Sequence, residues 1–105
     1  MMAIHSQCWT LDAGAHADQY VALYESFEAL HLTQAGYRGR RLLRGSQDPT
    51  HFTNIRFFDA ESDYDALVHH PDYEPHIEAM GRHLDLSRPP IKEVVEVVVN
   101  SDRAT

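Results

Sequence analysis

The segment HFTNIRFF, from His51 to Phe58, has two polar side chains in a run that otherwise has the composition of a buried strand. A strand has a period of two, so one face carries Phe52, Asn54, Arg56 and Phe58. A neutral amide in an apolar pocket is a poor nucleophile and a poor base, but it donates a hydrogen bond well to an oxygen that gains negative charge. The pattern therefore indicates an aromatic-lined pocket with an oxyanion-binding group at Asn54.

Both polar residues also have purely structural interpretations. Asn54 could satisfy a backbone group at a bulge or pair with a residue of a neighbouring helix. Arg56 could pair with an acidic residue such as Glu28 or Glu78, because a buried guanidinium needs a partner. The sequence alone leaves these alternatives open beside the functional one.

Composition limits the class of protein. At 105 residues and 43% hydrophobic content, the chain fits one domain, which we place over residues 1–105 with a core at about 4–100. The net charge of −7 disfavours nucleic acid as a partner. We see no apolar run that would cross a membrane and no secretion signal. The single cysteine, Cys8, cannot form an internal disulfide, so we expect a cytoplasmic protein.

Basic residues and histidines are concentrated in two places. Four of the nine Lys and Arg residues lie in RGRRLLR, from Arg38 to Arg44, which indicates either a surface strand that pairs with acidic helices or an anion site. The second place holds His69, His76 and His83. Proline interrupts that segment and no HxH or HExxH motif is present, so we predict no metal site.

Periodicity predicts six elements in the order βαββαβ. We expect strands over residues 4–11, 37–45, 51–58 and 91–100, a helix over 17–35, and a second helix bent at HHPDYEPH. This order is typical of an α+β, ferredoxin-like fold with an antiparallel sheet and both helices on one face. The bare face of such a sheet needs a cover, and we expect a second copy of the chain to supply it as a homodimer.

Strand one carries a second candidate amide. Gln7 and Trp9 share a parity in the predicted strand. We expect both to point into the same space as Asn54, which would bring two amides and an indole to one cavity.

The segment GYRGRRLLRGSQDPTHFTNIRFFDAESDYDALVHHPDYEPH resembles the antibiotic biosynthesis monooxygenase superfamily, whose members are dimeric α+β barrels. The resemblance extends over nearly the whole chain. It is strongest to the small cofactor-independent monooxygenases that oxidise anthrones to anthraquinones. It implies a monooxygenase of antibiotic or polyketide biosynthesis that needs no cofactor, acting on a small aromatic substrate with O₂.

The resemblance also implies roles for particular residues. The strand-three asparagine of those enzymes matches Asn54, and their tryptophan position holds Phe58. A tyrosine early in helix two matches Tyr64, a strand-one asparagine falls at Gln7, and His76 is the nearest candidate for a basic residue of helix two. Asn54 and Gln7 would hold an enolate oxyanion, while Tyr64 or His76 would manage protons.

The ring system would be clamped by aromatic side chains, for which the candidates are Trp9, Phe52, Phe58 and Tyr73. Arg56 stands where those enzymes usually have a small residue, so it would add positive charge or select an acidic substrate.

Three alternatives remain open. A haem-degrading enzyme of the same superfamily would use positions that hold Gln7, Phe58 and His76 here, with the histidine as haem ligand. A dimeric binder of small aromatic ligands would need no catalysis. A polyketide cyclase would consume no oxygen.

Overall fold

The computed structural model describes residues 1–102. Within this range the chain forms four strands, β1 (Met2–Trp9), β2 (Tyr37–Arg44), β3 (His51–Phe58) and β4 (Ile91–Glu96). The four helices in the same range are α1 (Ala15–Ser26), α2 (Glu28–His31), α3 (Glu61–Val68) and α4 (Tyr73–Gly81). None of these helices combines the length and the apolar character that crossing a bilayer requires.

The strands form one antiparallel sheet in the order β2-β3-β1-β4. With the helices between β1 and β2 and between β3 and β4, this is the predicted ferredoxin-like α+β arrangement, which is confirmed. The bounds of β3 agree with the prediction.

Both predicted helices are divided in the structure. The first is interrupted at Phe27, so that α1 and α2 replace one helix over 17–35. The second ends before Pro71, whose ring cannot continue a helix, and resumes as α4. Pro75 is tolerated because it lies in the first turn of α4, where backbone N–H groups have no intrahelical acceptor.

The last strand is shorter than predicted. Its pairing with β1 ends where Glu96 lies opposite Met2, and only the Val97 amide continues, by donating to the carbonyl of Met1. Residues 98–100 therefore have no partner strand within residues 1–102, although their β-branched sequence favours extended structure.

The helices cover one face of the sheet and enclose the core against it. Ile4, Phe52, Phe58 and Leu67 are fully buried there. Burial of such side chains contributes about 1.5–3 kcal/mol each to folding. This core fixes the helices over β1 and β3, the strands that carry the polar residues of interest.

Candidate functional site

A cavity of about 450 Å³ opens between the helix-covered face of the sheet, α1, α4 and the segment leading into β4. Its polar walls come from Asn54, Arg56, Tyr20, Tyr24, Tyr73 and Lys92. Phe27, Ile77, Met80, Leu84 and Leu86 supply most of the apolar wall. This size and this mixture suit a small aromatic ligand held by a few polar groups.

Asn54 is held through its carbonyl oxygen. The Tyr24 hydroxyl donates a hydrogen bond of 2.7 Å to Asn54 Oδ1. Burial raises the pKa of Tyr24, so its phenol keeps the proton it donates. No acceptor within residues 1–102 engages Asn54 Nδ2. The amide therefore pairs with a helix, as its structural interpretation proposed, and still has both N–H donors free beside the cavity.

Tyr24 is itself fixed by the arginine-rich strand. Arg40 lies over the Tyr24 ring, with its guanidinium carbon 4.1 Å from the ring centre, and also donates to the Tyr24 carbonyl. It forms an ion pair with Glu28, and Arg38 pairs with Asp59. Pairing with acidic residues thus accounts for these two arginines, and Arg40 supports the tyrosine that orients Asn54.

Arg56 is only 4% exposed, and no carboxylate of residues 1–102 forms an ion pair with it. Its Nη1 donates to His31 Nε2 over 3.3 Å, while His31 Nδ1 donates to the Phe27 carbonyl over 2.8 Å. Burial lowers the pKa of His31 to about 4, so the ring is neutral and accepts at Nε2. The proposed pairing of Arg56 with Glu28 or Glu78 is wrong, because no ion pair within residues 1–102 joins Arg56 to either carboxylate, and Glu28 pairs with Arg40.

Tyr64 lies behind the cavity wall rather than in it. Lys92 Nζ donates to the Tyr64 hydroxyl over 2.8 Å. Burial raises the pKa of Tyr64, but hydrogen bonds from Lys92 and Tyr73 and the charge of Arg56 outweigh it, so the pKa lies below its ordinary value. Tyr73 lines the cavity, and burial raises its pKa. The two tyrosines connect the cavity with a phenol whose pKa neighbouring cations and hydrogen bonds lower.

Gln7 and Trp9 do not lie on the expected face beside Asn54, although Gln7 does line part of the cavity. Ser6, not Gln7, lies opposite Asn54 in the sheet, and residues opposite each other share a face. Gln7 borders one end of the cavity, but its side-chain oxygen is 3.0 Å from His51 Nε2 on the other face. Trp9 stacks on His51 with 4.8 Å between ring centres. Neither side chain stands beside Asn54.

His76 does not face the cavity either. Its Nε2 donates to the Leu23 carbonyl over 2.7 Å, and its ring stacks on Phe27 with 4.1 Å between centres. The break before α4 places it on a separate groove beside α1. As a candidate for the basic residue that contacts the substrate, His76 is therefore outside the cavity, and the haem alternative has no histidine ligand in the cavity at this position.

The expected aromatic clamp is present only in part. Phe58 is completely buried between Tyr37 and Tyr64, and Phe52 packs against Tyr20. Both are core residues beneath the cavity and do not line it. Of the predicted ring contacts, Tyr73 is the aromatic one that the cavity includes.

Three contributors were absent from the predicted site. Tyr20 and Tyr24 are four residues apart on one face of α1, and their spacing was interpreted as apolar packing, although their hydroxyl groups signalled a polar role. Lys92 lies opposite Ser6 and so faces the cavity. Because the residues around Lys92 are largely apolar, the sequence of β4 indicated only a packing surface.

Replacing His76 with glutamine is expected to lower the free energy of unfolding by about 0.5–1.5 kcal/mol and to leave ligand binding in the cavity unchanged. The physical reason is loss of a hydrogen bond to Leu23 and of the stacking on Phe27. Chemical denaturation and calorimetric titration check the two parts. His69→Gln, at an exposed position, is the control, and a large loss of binding in His76→Gln would contradict the assignment.

The fold agrees with that of solved structures described as antibiotic biosynthesis monooxygenases. No protein-family model matches the sequence, and no curated protein matches it. Solved structures match over nearly their full length, and the shared fold is that of the antibiotic biosynthesis monooxygenases.

Particular structures show how far the similarity extends. An antibiotic biosynthesis monooxygenase superposes with a TM-score of 0.77 at 14% identity, covering 94% of this chain and 100% of its own. SnoaB, a cofactor-independent oxygenase from Streptomyces nogalater, superposes with 0.73 at 16% identity, covering 96% and 94%. A SnoaB variant with alanine in place of one asparagine gives 0.77 at 15% identity, covering 94% and 95%.

Proposed function

We propose that this protein is a cofactor-independent monooxygenase that oxidises an aromatic polyketide phenol of the anthrone type to a quinone with O₂. The observation that carries the proposal is the Asn54 amide, whose oxygen is held by Tyr24 and whose N–H donors are free at an apolar cavity. The description of SnoaB as a cofactor-independent oxygenase with the same fold supports it.

The reaction begins when the bound phenol or its keto form loses a proton. The resulting enolate is electron-rich, and Asn54 holds its oxygen with an N–H donor. We assign the proton to Tyr64 acting from its phenolate form, which the Lys92 ammonium stabilises; Tyr73, which lines the cavity, takes the substrate's proton while passing its own to Tyr64. Arg56 and Lys92 add the positive charge that favours the anionic form of the substrate.

Oxygen then accepts one electron from the enolate, and the two radicals recombine to form a carbon–oxygen bond. The peroxide takes up a proton, and the carbon that bears it loses its remaining hydrogen as a proton. Cleavage of the O–O bond releases one water molecule and leaves the second carbonyl of the quinone. One O₂ is therefore consumed for each quinone formed.

The direct test is to incubate purified, metal-free protein with a tricyclic anthrone and to follow quinone absorbance together with oxygen consumption. We expect equal amounts of O₂ consumed and quinone formed, at a rate well above that with heat-denatured protein. A raised melting temperature without turnover would favour a ligand binder, and product formed without O₂ would favour a cyclase.

We also propose that the open face of the sheet forms a homodimer. This face carries Trp9, Ile55 and Phe57, which are half-buried, and Leu43 and Ile91, which are 50% and 53% exposed. A surface of this kind marks an association site in an otherwise acidic protein. Two copies that pack these faces together would remove it from water.

Replacing Ile55 with glutamate is expected to convert a dimer into a monomer at micromolar concentration, because a charge that must be desolvated would replace an apolar side chain on the pairing face, even with Arg41 opposite it. Sedimentation equilibrium measures the mass. Leu32→Glu is the matched control, since Leu32 is 67% exposed and lies at the end of α2. A wild-type protein that is monomeric under these conditions would contradict the dimer.

A further inference from the structure

The guanidinium of Arg56 is a buried positive charge without a buried negative one. The residue is 4% exposed, and its Nε has no hydrogen-bond partner among the described residues. No Asp or Glu oxygen of residues 1–102 lies within 4.0 Å of it. Buried charges in proteins are normally paired, because removing an ion from water without compensation is costly.

The groups around Arg56 do not compensate its charge. His31, which accepts from Nη1, is a neutral ring. Arg56 lies over the Tyr64 ring, with the guanidinium carbon 5.3 Å from the ring centre, while the Tyr64 hydroxyl is already held by Lys92. Tyr20, Tyr24 and Tyr73 have pKa values raised by burial and therefore remain neutral phenols at physiological pH. The partner that Arg56 lacks must come from outside this set.

The cavity is the place from which that partner can come. Arg56 forms part of its wall, and Lys92, the other cation of the wall, stands at the exposed rim on β4. The Lys92 ammonium is held by the Tyr64 hydroxyl, so Arg56 is the cation of this wall that lacks an oxygen partner within residues 1–102, in a chain with a net charge of −7. The positive charge at the cavity, in an otherwise acidic protein, favours an anionic occupant.

We propose that Arg56 binds a carboxylate carried by the substrate, so that the substrate class is a planar aromatic acid. The identification of the occupant as a substrate rests on the proposed function. A carboxylate is planar and accepts two parallel N–H bonds from a guanidinium, which an isolated phenolate oxygen cannot do.

The strand sets the distance between the two binding points. Asn54 and Arg56 are two residues apart on the same face of β3, and such residues are separated by about 7 Å. Asn54 is turned toward Tyr24 on α1, whereas Arg56 is turned toward His31 on α2. One oxygen therefore cannot satisfy both, and the carboxylate lies on a different part of the ring system from the oxygen that Asn54 holds.

The experiment compares two ligands that differ only in charge, anthraquinone carboxylate and the matching anthraquinone carboxamide, by calorimetric titration near neutral pH. We expect the wild-type protein to bind the carboxylate about 10- to 100-fold more tightly. Arg56→Met is expected to reduce this ratio to less than about threefold, and Arg56→Lys to give an intermediate ratio. Arg82→Met, which removes an exposed cation that does not line the cavity, is the matched control and should keep the preference.

Each outcome bears on the inference. Equal binding of the two ligands by the wild-type protein would overturn it, whether or not Arg56→Met folds. A preference that survives in Arg56→Met would overturn it as well. Because binding needs no oxygen, the two proposals can fail separately. A carboxylate preference without quinone formation would support the anion site and contradict the oxygenase. Quinone formation without the preference would support the oxygenase and contradict the anion site.

Discussion

Asn54→Ala is expected to lower kcat for quinone formation by about 10²- to 10³-fold while the protein remains folded. The amide is the one side chain of the cavity whose orientation is fixed by a helix hydroxyl and whose donors are left free. Removing one preorganised donor to a developing oxyanion has an effect of this size in other enzymes. Because the charge on the oxygen is greater in the transition state than in the bound phenol, we expect KM to change much less.

Two companion variants separate this role from a structural one. Tyr24→Phe keeps the amide but removes the hydrogen bond that orients it, so we expect a loss of about tenfold in kcat. Thr53→Ala, on the opposite face of β3, should leave kcat unchanged. Initial rates of quinone absorbance and circular dichroism measure activity and folding. An Asn54→Ala enzyme with wild-type kcat would refute the oxyanion role.

The sequence alone predicted the side of the sheet for Asn54 and Arg56, because β3 also carries large apolar side chains that must be buried. Phe52 and Phe58 flank the two polar residues at even spacing, and both are completely or almost completely buried. Once these rings are in the core, the period of a strand places Asn54 and Arg56 on the same face. The polar residues therefore reach the helix-covered side without any knowledge of the neighbouring strands.

Strand one gave no such indication, and the prediction for Gln7 and Trp9 was wrong by one residue. The large apolar side chain of Trp9 suggested the core face, but the small side chains of Ser6 and Cys8 occupy it. The register against β3 decides this, since Ser6 pairs with Asn54. Small residues there leave room for the cavity, whereas Trp9 belongs to the open face.

His76 was misplaced for a different reason. Spacing along one helix predicts a face only while the helix is continuous, and the chain breaks between α3 and α4. The rotation of α4 about its axis is set by the burial of Tyr73 and Met80. With those two residues in the core, His76 contacts the end of α1, which sequence spacing alone could not show.

Phe58→Ala is expected to lower the free energy of unfolding by about 3–5 kcal/mol, the largest change in stability predicted for this chain. Phe58 has no exposed surface and packs between Tyr37 and Tyr64, with ring centres 5.7 and 5.8 Å away. Truncation removes these contacts and leaves a void between the antiparallel neighbours Met2 and Tyr37. Urea denaturation followed by circular dichroism gives the free energy.

Phe57→Ala provides the comparison, because Phe57 lies on the open face of the same strand and is only half-buried. We expect a smaller loss of stability for it in the monomer. A loss below about 1 kcal/mol in Phe58→Ala would contradict a core role, since buried phenylalanines cost several times more to truncate.

A second substitution of Phe58 tests whether this residue acts only through packing or also contacts the substrate. Enzymes that this chain resembles have tryptophan there, but Phe58 stands behind Tyr64 and does not line the cavity. Phe58→Trp should therefore cost about 1–3 kcal/mol through overpacking and bring no gain in kcat. A gain in quinone formation in Phe58→Trp would mean that the indole N–H reaches the substrate, and the position would then belong to the site. Without that gain, Asn54 and its Tyr24 anchor carry the oxyanion role alone.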